Sequence, residues 1–199
     1  MKRISEHARE YVNGLKQVLD NLPVADLDRV AELIEQAHAA RRQIFIIGNG
    51  GSAATASHMM NDLCKGTIGH KGDALWQRFR VIALTDNVPL MTAWANDTDY
   101  NHVFSGPLKN LAEQGDLLVC ISASGNSPNI VAAVETAKEL GVMVIGLAGF
   151  GGGKLARMAD VCVTVPSNEY GPVEDVHMIL DHILTSYLFA KLKELHGGS

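Results

Sequence analysis

Residues 117–140 read LLVCISASGNSPNIVAAVETAKEL, which is an apolar run, a turn rich in serine, and a stretch that looks helical. Four further apolar runs alternate with helical stretches: IFIIG (44–48), VIALT (81–85), VMVIGLAG (142–149) and VCVTVP (161–166). Continuous valine, isoleucine and leucine without alternation is typical of strands covered on both faces, and the strand–helix rhythm indicates parallel crossovers. We therefore predict an α/β fold, a doubly wound domain with a five-stranded parallel sheet.

Helices are predicted at both ends of the chain. Apolar residues recur at helical spacing within 15–19 and 30–34, so two helices precede the first strand. After the last strand, a helix is predicted from about 173 to 195. Its apolar stripe consists of Val176, Ile179, Leu180, Ile183 and Leu184. No repeat or long linker divides the chain, so residues 1–199 are expected to form a single domain.

The composition excludes several classes of protein. The formal net charge of the 199 residues is −5 and no lysine or arginine cluster interrupts it, so we expect no direct nucleic-acid binding. No stretch approaches the roughly 20 apolar residues of a membrane helix, and the polar first ten residues do not resemble a signal peptide. Cys64, Cys120 and Cys162 are too widely spaced to indicate disulfides or a thiolate metal site. The expected location is the cytoplasm.

Two polar turns follow the first and third predicted strands, where ligands of such sheets bind. The turn GNGGS (48–52) has three glycines that permit a sharp bend, and Ser52 is placed to cap the next helix. The second turn carries Ser122, Ser124 and Ser127 around Gly125. Hydroxyl groups and backbone N–H groups at helix starts can surround a phosphate without any lysine. The alternative is that both turns only connect strands to helices and that their serines only cap helices.

A dinucleotide site is a second alternative for the first turn. Gly48, Gly50 and Ala53 fit the loose pattern G-x-G-x-x-[GA]. That pattern also requires an acidic residue about 20 positions later. The candidate, Asp86, lies well beyond this spacing, which disfavours nicotinamide binding.

Two predicted helices carry groups suited to acid–base or metal chemistry. His58 and Asp62 are four residues apart and share a helix face, although they could merely form an ion pair. In the closing helix, Glu174 and His182 differ by about 80° around the axis and could converge on one ligand. The proximity of His182 to the apolar stripe argues against simple exposure, while the acidic residues around it could form a solvated face.

The segments GNGGSA, ALTDN, ANDTDY and 115–141, with the paired histidines of the closing helix, resemble the sugar isomerase (SIS) domain family. Within it, the phosphoheptose isomerases are the most similar group. The resemblance covers nearly the whole chain. It implies a flavodoxin-like three-layer sandwich that forms a homotetramer, with active sites at subunit contacts. The leading helices, residues 1–40, are expected to contribute to those contacts.

The resemblance also implies roles for individual residues. Ser122, Ser124 and Ser127 would hold the sugar phosphate. The residues from Asn49 to Ser52 would line the open-chain sugar, and Asn96 and Asp97 would also contact it. The implied substrate-binding residues are Asn49, Gly50, Gly51, Ser52, Asn96, Asp97, Ser122, Ala123, Ser124, Ser127 and Glu174. The implied metal ligands, usually for zinc, are His58, Asp62, Glu174 and His182. Asp62 would move the proton and His182 would be its acid or oxygen-side partner. Without the resemblance, Asn96 and Asp97 could equally belong to a solvated turn.

The chain departs from the family pattern at several positions. Asp62 is one methylene shorter than the family's glutamate, Glu174 replaces a neutral amide, and Ala123 replaces a hydroxyl residue but keeps its backbone N–H. The segment 64–79 differs in length and sequence. The added carboxylate would attract a divalent cation but could repel an enediolate.

The leading hypothesis is an isomerase that interconverts a ketose phosphate and an aldose phosphate through an enediol. The favoured reaction converts sedoheptulose 7-phosphate to D-glycero-D-manno-heptose 7-phosphate, for surface polysaccharide precursors. The alternatives are an isomerase of another sugar phosphate and a non-catalytic SIS module. Such a module would sense a sugar phosphate or regulate a partner, as the replication-initiator-associating relative does. That relative lacks acid–base residues at two positions where this chain has Asp62 and His182, which favours catalysis.

Overall fold

The five predicted strands are all present and all parallel in the computed structural model, which describes residues 2–68 and 76–196. The strands are β1 (Gln43–Gly48), β2 (Arg80–Ala83), β3 (Leu117–Ser122), β4 (Met143–Ala148) and β5 (Val161–Thr164). The α-helices are α1 (Ile4–Asp20), α2 (Ala25–Ala39), α3 (Gly51–Asn61), α4 (Val88–Asp97), α5 (Ser105–Leu111), α6 (Pro128–Glu139), α7 (Gly153–Met158) and α8 (Tyr170–Leu195). A π-helical turn spans Asp62–Gly66 and a 3-10 turn spans Tyr100–His102. Part of the segment 64–79, residues 69–75, lies outside the described residues.

The strand order is β2-β1-β3-β4-β5, which is the flavodoxin-like order. The chain therefore moves from β1 to one side of the sheet and from β3 to the other. The register pairs Gly48 at the end of β1 with Ile121 near the end of β3. This pairing puts the two polar turns side by side at the switch point, as the sequence predicts.

Helices cover both faces of the sheet because the strand side chains alternate between two apolar clusters. Ile44 and Ile46 of β1 pack on one face, with buried side chains of α2, α3 and α8. Phe45 and Ile47 pack on the other face, with buried side chains of α5, α6 and α7. Burial of successive residues on opposite faces explains the continuous apolar runs, and the result is a three-layer sandwich.

The closing helix α8 begins at Tyr170, three residues earlier than predicted. Pro172 lies in its first turn, where a missing N–H removes no helical hydrogen bond. The predicted stripe is correct at Val176, Leu180 and Leu184, which are buried, but wrong at Ile183, which is 41% exposed. The buried face is rotated toward the residues that follow those three, His177, Asp181 and Thr185. It comprises Pro172, Val173, Val176, His177, Leu180, Asp181, Leu184, Thr185, Leu188 and Leu192.

The first helix, α1, has no fully buried residue. Its last two turns pack partly against the core, whereas Ile4 and Val12 are exposed. The hydroxyl of Tyr11 donates a hydrogen bond to Asp175 Oδ2 of α8 at 2.6 Å, and this bond raises the pKa of Tyr11 to about 12. No helix in the described part of the chain combines the length and apolarity that crossing a membrane requires.

Candidate active site

A cavity of about 140 Å³ lies between the two polar turns and the first turns of α8. Seven of the predicted substrate-binding residues line it. They are Asn49, Ser52, Ser122, Ala123, Ser124, Ser127 and Glu174. Tyr170, which sequence reasoning did not identify, forms part of the wall, and its ring packs against Phe150 at 4.8 Å between centroids. The cavity is where an anionic group would meet hydroxyl groups from both turns.

The serine turn is held open by backbone contacts. Gly125 has a φ of +61°, and a Cβ atom there would lie 2.0 Å from the carbonyl oxygen of Gly152. Its N–H donates to the carbonyl of Ser122 at 3.0 Å. Only glycine suits this position, because a side chain would collide with backbone from the β4–α7 loop. The close approach fixes the direction in which the turn presents its serines.

The serine hydroxyls are not used to cap α6. Ser127 is the residue at the N-cap position, but its side chain makes no capping hydrogen bond. Ser124 Oγ accepts a hydrogen bond from the N–H of Asn126 at 3.2 Å and still has a proton to donate. The alternative in which these serines serve only as caps therefore fails for Ser127, whose hydroxyl is available to a ligand.

The glycine turn differs from its prediction at one residue. Gly50, with a φ of +55°, is the N-cap of α3, and Ser52 is the second residue of the helix rather than its cap. Glycine takes the cap position because the turn needs a left-handed φ, which serine adopts at a cost. Ser52 is buried at the cavity wall instead. The Glu174 carboxylate lies over this helix start, 3.1 Å from where a Cβ atom of Gly51 would be.

A pair of asparagines joins the two turns. Asn49 Nδ2 donates to Asn129 Oδ1 at 2.9 Å, and Asn129 Nδ2 donates to Asn49 Oδ1 at 2.8 Å. The hydroxyl of Tyr100 also donates to Asn49 Oδ1, at 3.3 Å. Asn129 is buried at the start of α6. The sequence contains Asn129 in the serine turn, but no local pattern shows that it bonds to a residue 80 positions away.

The predicted sugar contacts Asn96 and Asp97 lie at the exposed end of α4. Asn96 Nδ2 donates to Asp97 Oδ1 at 2.8 Å, and neither residue lines the cavity described above. Tyr100, three residues beyond Asp97, reaches the site through its bond to Asn49. The role of Asn96 and Asp97 stays a prediction.

Three of the four predicted metal ligands come together where α3 and the π-helical turn after it contact α8. His58 Nε2 lies 3.2 Å from His182 Nε2 and 3.4 Å from Asp62 Oδ2, while His182 Nε2 lies 3.9 Å from the same oxygen. These three atoms form a nearly equilateral triangle. The predicted sharing of one helix face by His58 and Asp62 is thus what the structure shows. His182 is more exposed than expected, at 56% of its side chain, because it lies outside the buried face of α8.

The fourth member of the cluster is Asp181 instead of Glu174. Ligand atoms of His58, Asp62, Asp181 and His182 all lie within 4.8 Å of one another. Asp181 is fully buried, and burial, followed by repulsion from Asp62, raises its pKa to about 6. Glu174 precedes His182 by eight residues, which is about 12 Å along α8. Its carboxylate belongs to the cavity wall.

The cluster fits a zinc ion in its donor chemistry and spacing. Zinc is usually tetrahedral in proteins, with bonds of about 2.0–2.2 Å to imidazole nitrogen and carboxylate oxygen, which separates neighbouring donors by about 3.3 Å. The triangle has edges of 3.2, 3.4 and 3.9 Å. The agreement supports a metal site, and the ligand atoms need little movement to adopt it.

Asp62 starts the π-helical turn that ends at Gly66. The turn is wider than an α-helix, and the backbone N–H of Thr67 reaches the carbonyl of Asp62 at 3.2 Å. π-Helical turns inside helices are frequent at functional sites. Helical periodicity alone did not predict it, since a single wide turn barely changes the spacing of apolar residues.

His177 lies on the buried face of α8, between the cavity and the cluster in sequence. Neither of its ring nitrogens has a hydrogen-bond partner among residues 2–68 and 76–196. Burial lowers the pKa of His177 to about 4, against a weaker opposing effect of the Ala148 backbone. The imidazole is therefore neutral at pH 7, and its contribution is to the interior of the fold.

Comparisons with known proteins identify the family of this chain. A family model described as the SIS domain matches residues 8–149. The chain belongs to the SIS domain family. This SIS domain is 34% identical to the phosphoheptose isomerase of Akkermansia muciniphila over 197 residues, which cover 98% of this chain and all of that protein. It is 38% identical to the phosphoheptose isomerase of Rhodospirillum rubrum over 156 residues, 77% of this chain and 79% of that one.

A solved structure shows the same architecture. Phosphoheptose isomerase GmhA from Neisseria gonorrhoeae superposes on this SIS domain with a TM-score of 0.83 and 32% sequence identity. The match covers 94% of this chain and 97% of that one. The fold predicted from the sequence is thereby confirmed over nearly its whole length.

Proposed function

We propose that this SIS domain is an isomerase that interconverts sedoheptulose 7-phosphate and D-glycero-D-manno-heptose 7-phosphate. The observation that carries the proposal is a hydroxyl-lined cavity and a His/Asp cluster that both take side chains from α3 and α8. The first is suited to a phosphate and the second to moving protons. Relatives named phosphoheptose isomerase that match nearly the whole chain support the same conclusion.

The cavity and the cluster are built on the same two helices. Ser52 of α3 and Glu174 of α8 line the cavity, and His58 of α3 and His182 of α8 belong to the cluster.

The residues of the cavity bind and orient the substrate. Hydroxyls of Ser122, Ser124 and Ser127 and the N–H groups at the start of α6 receive the phosphate. The sugar hydroxyls then meet Asn49, and Glu174 accepts hydrogen bonds from them. Such positioning holds C1 and C2 beside the cluster, which removes the entropic cost of bringing the reacting groups together.

The cluster then moves the protons. Asp62 removes a proton from C1 of the ketose, which gives an enediol with a double bond between C1 and C2. Asp62 then returns the proton to C2. His182 gives a proton to the oxygen on C2 and takes one from the oxygen on C1, through the ring nitrogen that does not hold the metal. Each residue ends the cycle as it began, and the net change is the migration of the carbonyl from C2 to C1.

We propose zinc as the metal held by His58, Asp62 and His182. When bound, such an ion supplies Lewis-acid polarisation of the substrate carbonyl. The agreement between the donor triangle and tetrahedral spacing supports this assignment.

We further propose one domain, residues 1–199, that assembles into a homotetramer in the cytoplasm. The exposed apolar side chains of α1, among them Ile4, Tyr11 and Val12, support its participation in subunit contacts. The three cysteines, all unpaired, suit a reducing compartment.

The test is solvent-proton exchange. Purified protein is incubated with sedoheptulose 7-phosphate in D2O, with and without zinc, and deuterium at C1 and C2 is followed by NMR. The proposal expects incorporation with sedoheptulose 7-phosphate and little with a triose phosphate. Thermal stabilisation by the phosphosugar without exchange would instead favour the non-catalytic binding module, which the named relatives do not favour.

A further inference from the structure

We propose that Asp181 is the fourth protein ligand of the metal site, in the position that family resemblance assigns to Glu174. The proposal rests on the isomerase function proposed above and deepens it by naming the donor set of the same site. The site would then consist of two imidazoles and two carboxylates, supplied by α3 with its π-helical turn and by α8.

The positions of the donor atoms support four ligands. The triangle of His58, Asp62 and His182 leaves one vertex of a tetrahedron open, and an Asp181 oxygen lies within 4.8 Å of all three atoms. Two ionised carboxylates and two neutral imidazoles carry a total charge of −2, which balances a divalent cation. A balanced set of hard oxygen and borderline nitrogen donors suits zinc.

Asp181 also has an unused oxygen. Its Oδ1 accepts a hydrogen bond from the hydroxyl of Thr185 at 3.2 Å. Its Oδ2 is buried and has no hydrogen-bond partner within residues 2–68 and 76–196. A buried carboxylate oxygen without a partner is costly, and native proteins rarely keep one without a reason. A cation among the four side chains would compensate for it.

Glu174 has a different neighbourhood. Its carboxylate lies over the start of α3, where the helix dipole favours a negative charge, and it lines the cavity beside the serine turn. It is not part of the group whose ligand atoms lie within 4.8 Å of one another. Glu174 can therefore contact substrate while Asp181 holds the metal.

The experiment compares zinc affinities of four proteins by competition with a chromophoric chelator. They are the wild type, Asp181→Asn, Glu174→Gln and Asp175→Asn. Each variant removes one formal charge from the same helix, and Asp175 bonds to Tyr11, away from the cluster. We expect Asp181→Asn to weaken zinc binding by about 100-fold or more, since even outer-shell changes cost 10–100-fold. Glu174→Gln and Asp175→Asn should change it by less than about threefold. The visible spectrum of the Co²⁺-loaded protein should change only with Asp181→Asn.

The outcomes separate this proposal from the proposed function. A 100-fold loss with Glu174→Gln, and none with Asp181→Asn, would overturn it while leaving the isomerase intact. If zinc binding depends on Asp181 but the protein turns over no phosphosugar, the ligand set is supported and the proposed isomerase function is refuted. If Asp181→Asn does not fold, Thr185→Val takes its place, because it removes the hydroxyl that orients the carboxylate. It should weaken zinc binding about 10-fold, and unchanged affinity would count against the proposal.

Discussion

Replacing His177 with glutamine should make this protein less sensitive to acid. The side chain is buried without a hydrogen-bond partner among the described residues, and its pKa falls from 6.5 to about 4 on folding. Between these values the unfolded chain binds the proton and the folded chain does not. The contribution of His177 to the free energy of unfolding therefore decreases as the pH falls from 6.5 toward 4.

The size of the effect follows from the two pKa values. Their difference of about 2.5 corresponds to about 3.4 kcal/mol at the acid limit. About 2 kcal/mol of this is lost between pH 8 and pH 5. Asp181 acts in the opposite direction, because its pKa is raised from 3.8 to about 6 and its folded form is favoured as the pH falls. The wild-type curve alone mixes the two groups, so the difference between wild type and variant is the informative quantity.

The assay is urea unfolding followed by circular dichroism at pH 8, 7, 6 and 5, at one chain concentration and with a metal chelator present. The free energy of unfolding of the wild type, minus that of His177→Gln, should fall by about 2 kcal/mol from pH 8 to pH 5. His7→Gln, at an exposed position of α1, serves as the control and should show no such trend. A difference that stays constant within about 0.5 kcal/mol would refute the assignment of a buried neutral imidazole.

Three further predictions concern the site. Asp62→Asn should abolish isomerisation and leave phosphosugar affinity, measured by calorimetry, within about threefold, because the phosphate is bound elsewhere. Ser124→Ala should weaken phosphosugar binding by about 1.5–3 kcal/mol, the value of a hydrogen bond to a charged group, with calorimetry as the measurement. Gly125→Ala should lower the free energy of unfolding by at least about 2 kcal/mol and impair phosphosugar binding, because the new Cβ would lie 2.0 Å from the Gly152 oxygen.

Each of these predictions has a result that contradicts it. Full activity of Asp62→Asn would exclude that residue as the base. Ser5→Ala, at an exposed position on α1, is the control for Ser124→Ala. Equal phosphosugar affinities of the two variants would show that Ser124 does not bind the phosphate. Gly14→Ala is the control for Gly125→Ala, since a Cβ atom at Gly14 meets nothing within 4 Å. Equal stability of the two alanine variants would mean that the serine turn is not constrained as described.

Local sequence patterns predicted the structure best where a residue pattern is compatible with only one structural environment. The apolar runs predicted β1, β3 and β4 to within one residue at each end, because continuous valine, isoleucine and leucine requires cover on both faces. They overestimated the carboxyl ends of β2 and β5 by two residues, since edge strands lose their ladder partner early. The spacing of His58 and Asp62 correctly predicted a shared helix face.

Predictions failed where the sequence is compatible with two structural roles for one residue. Ser52 fits a helix cap, but the turn required a left-handed φ and Gly50 took that role. His182 was expected to be shielded by Ile179 and Ile183, yet α8 turns its neighbour Asp181 into the interior. A stripe read from hydrophobicity alone could not include Asp181 or His177, because buried polar residues look like surface residues in a sequence.

The sequence by itself determined the parallel sheet, its flanking helices and the two polar turns, because these depend on periodicity and on glycine and serine chemistry within a few residues. Only the tertiary structure decided that Asn129 bonds to Asn49 and that Asp181 and His182 meet His58 and Asp62. The physical reason is that these contacts join residues 80 or more positions apart, across the switch point or between α3 and α8. Their distances are set by strand order and helix packing, which no local pattern records.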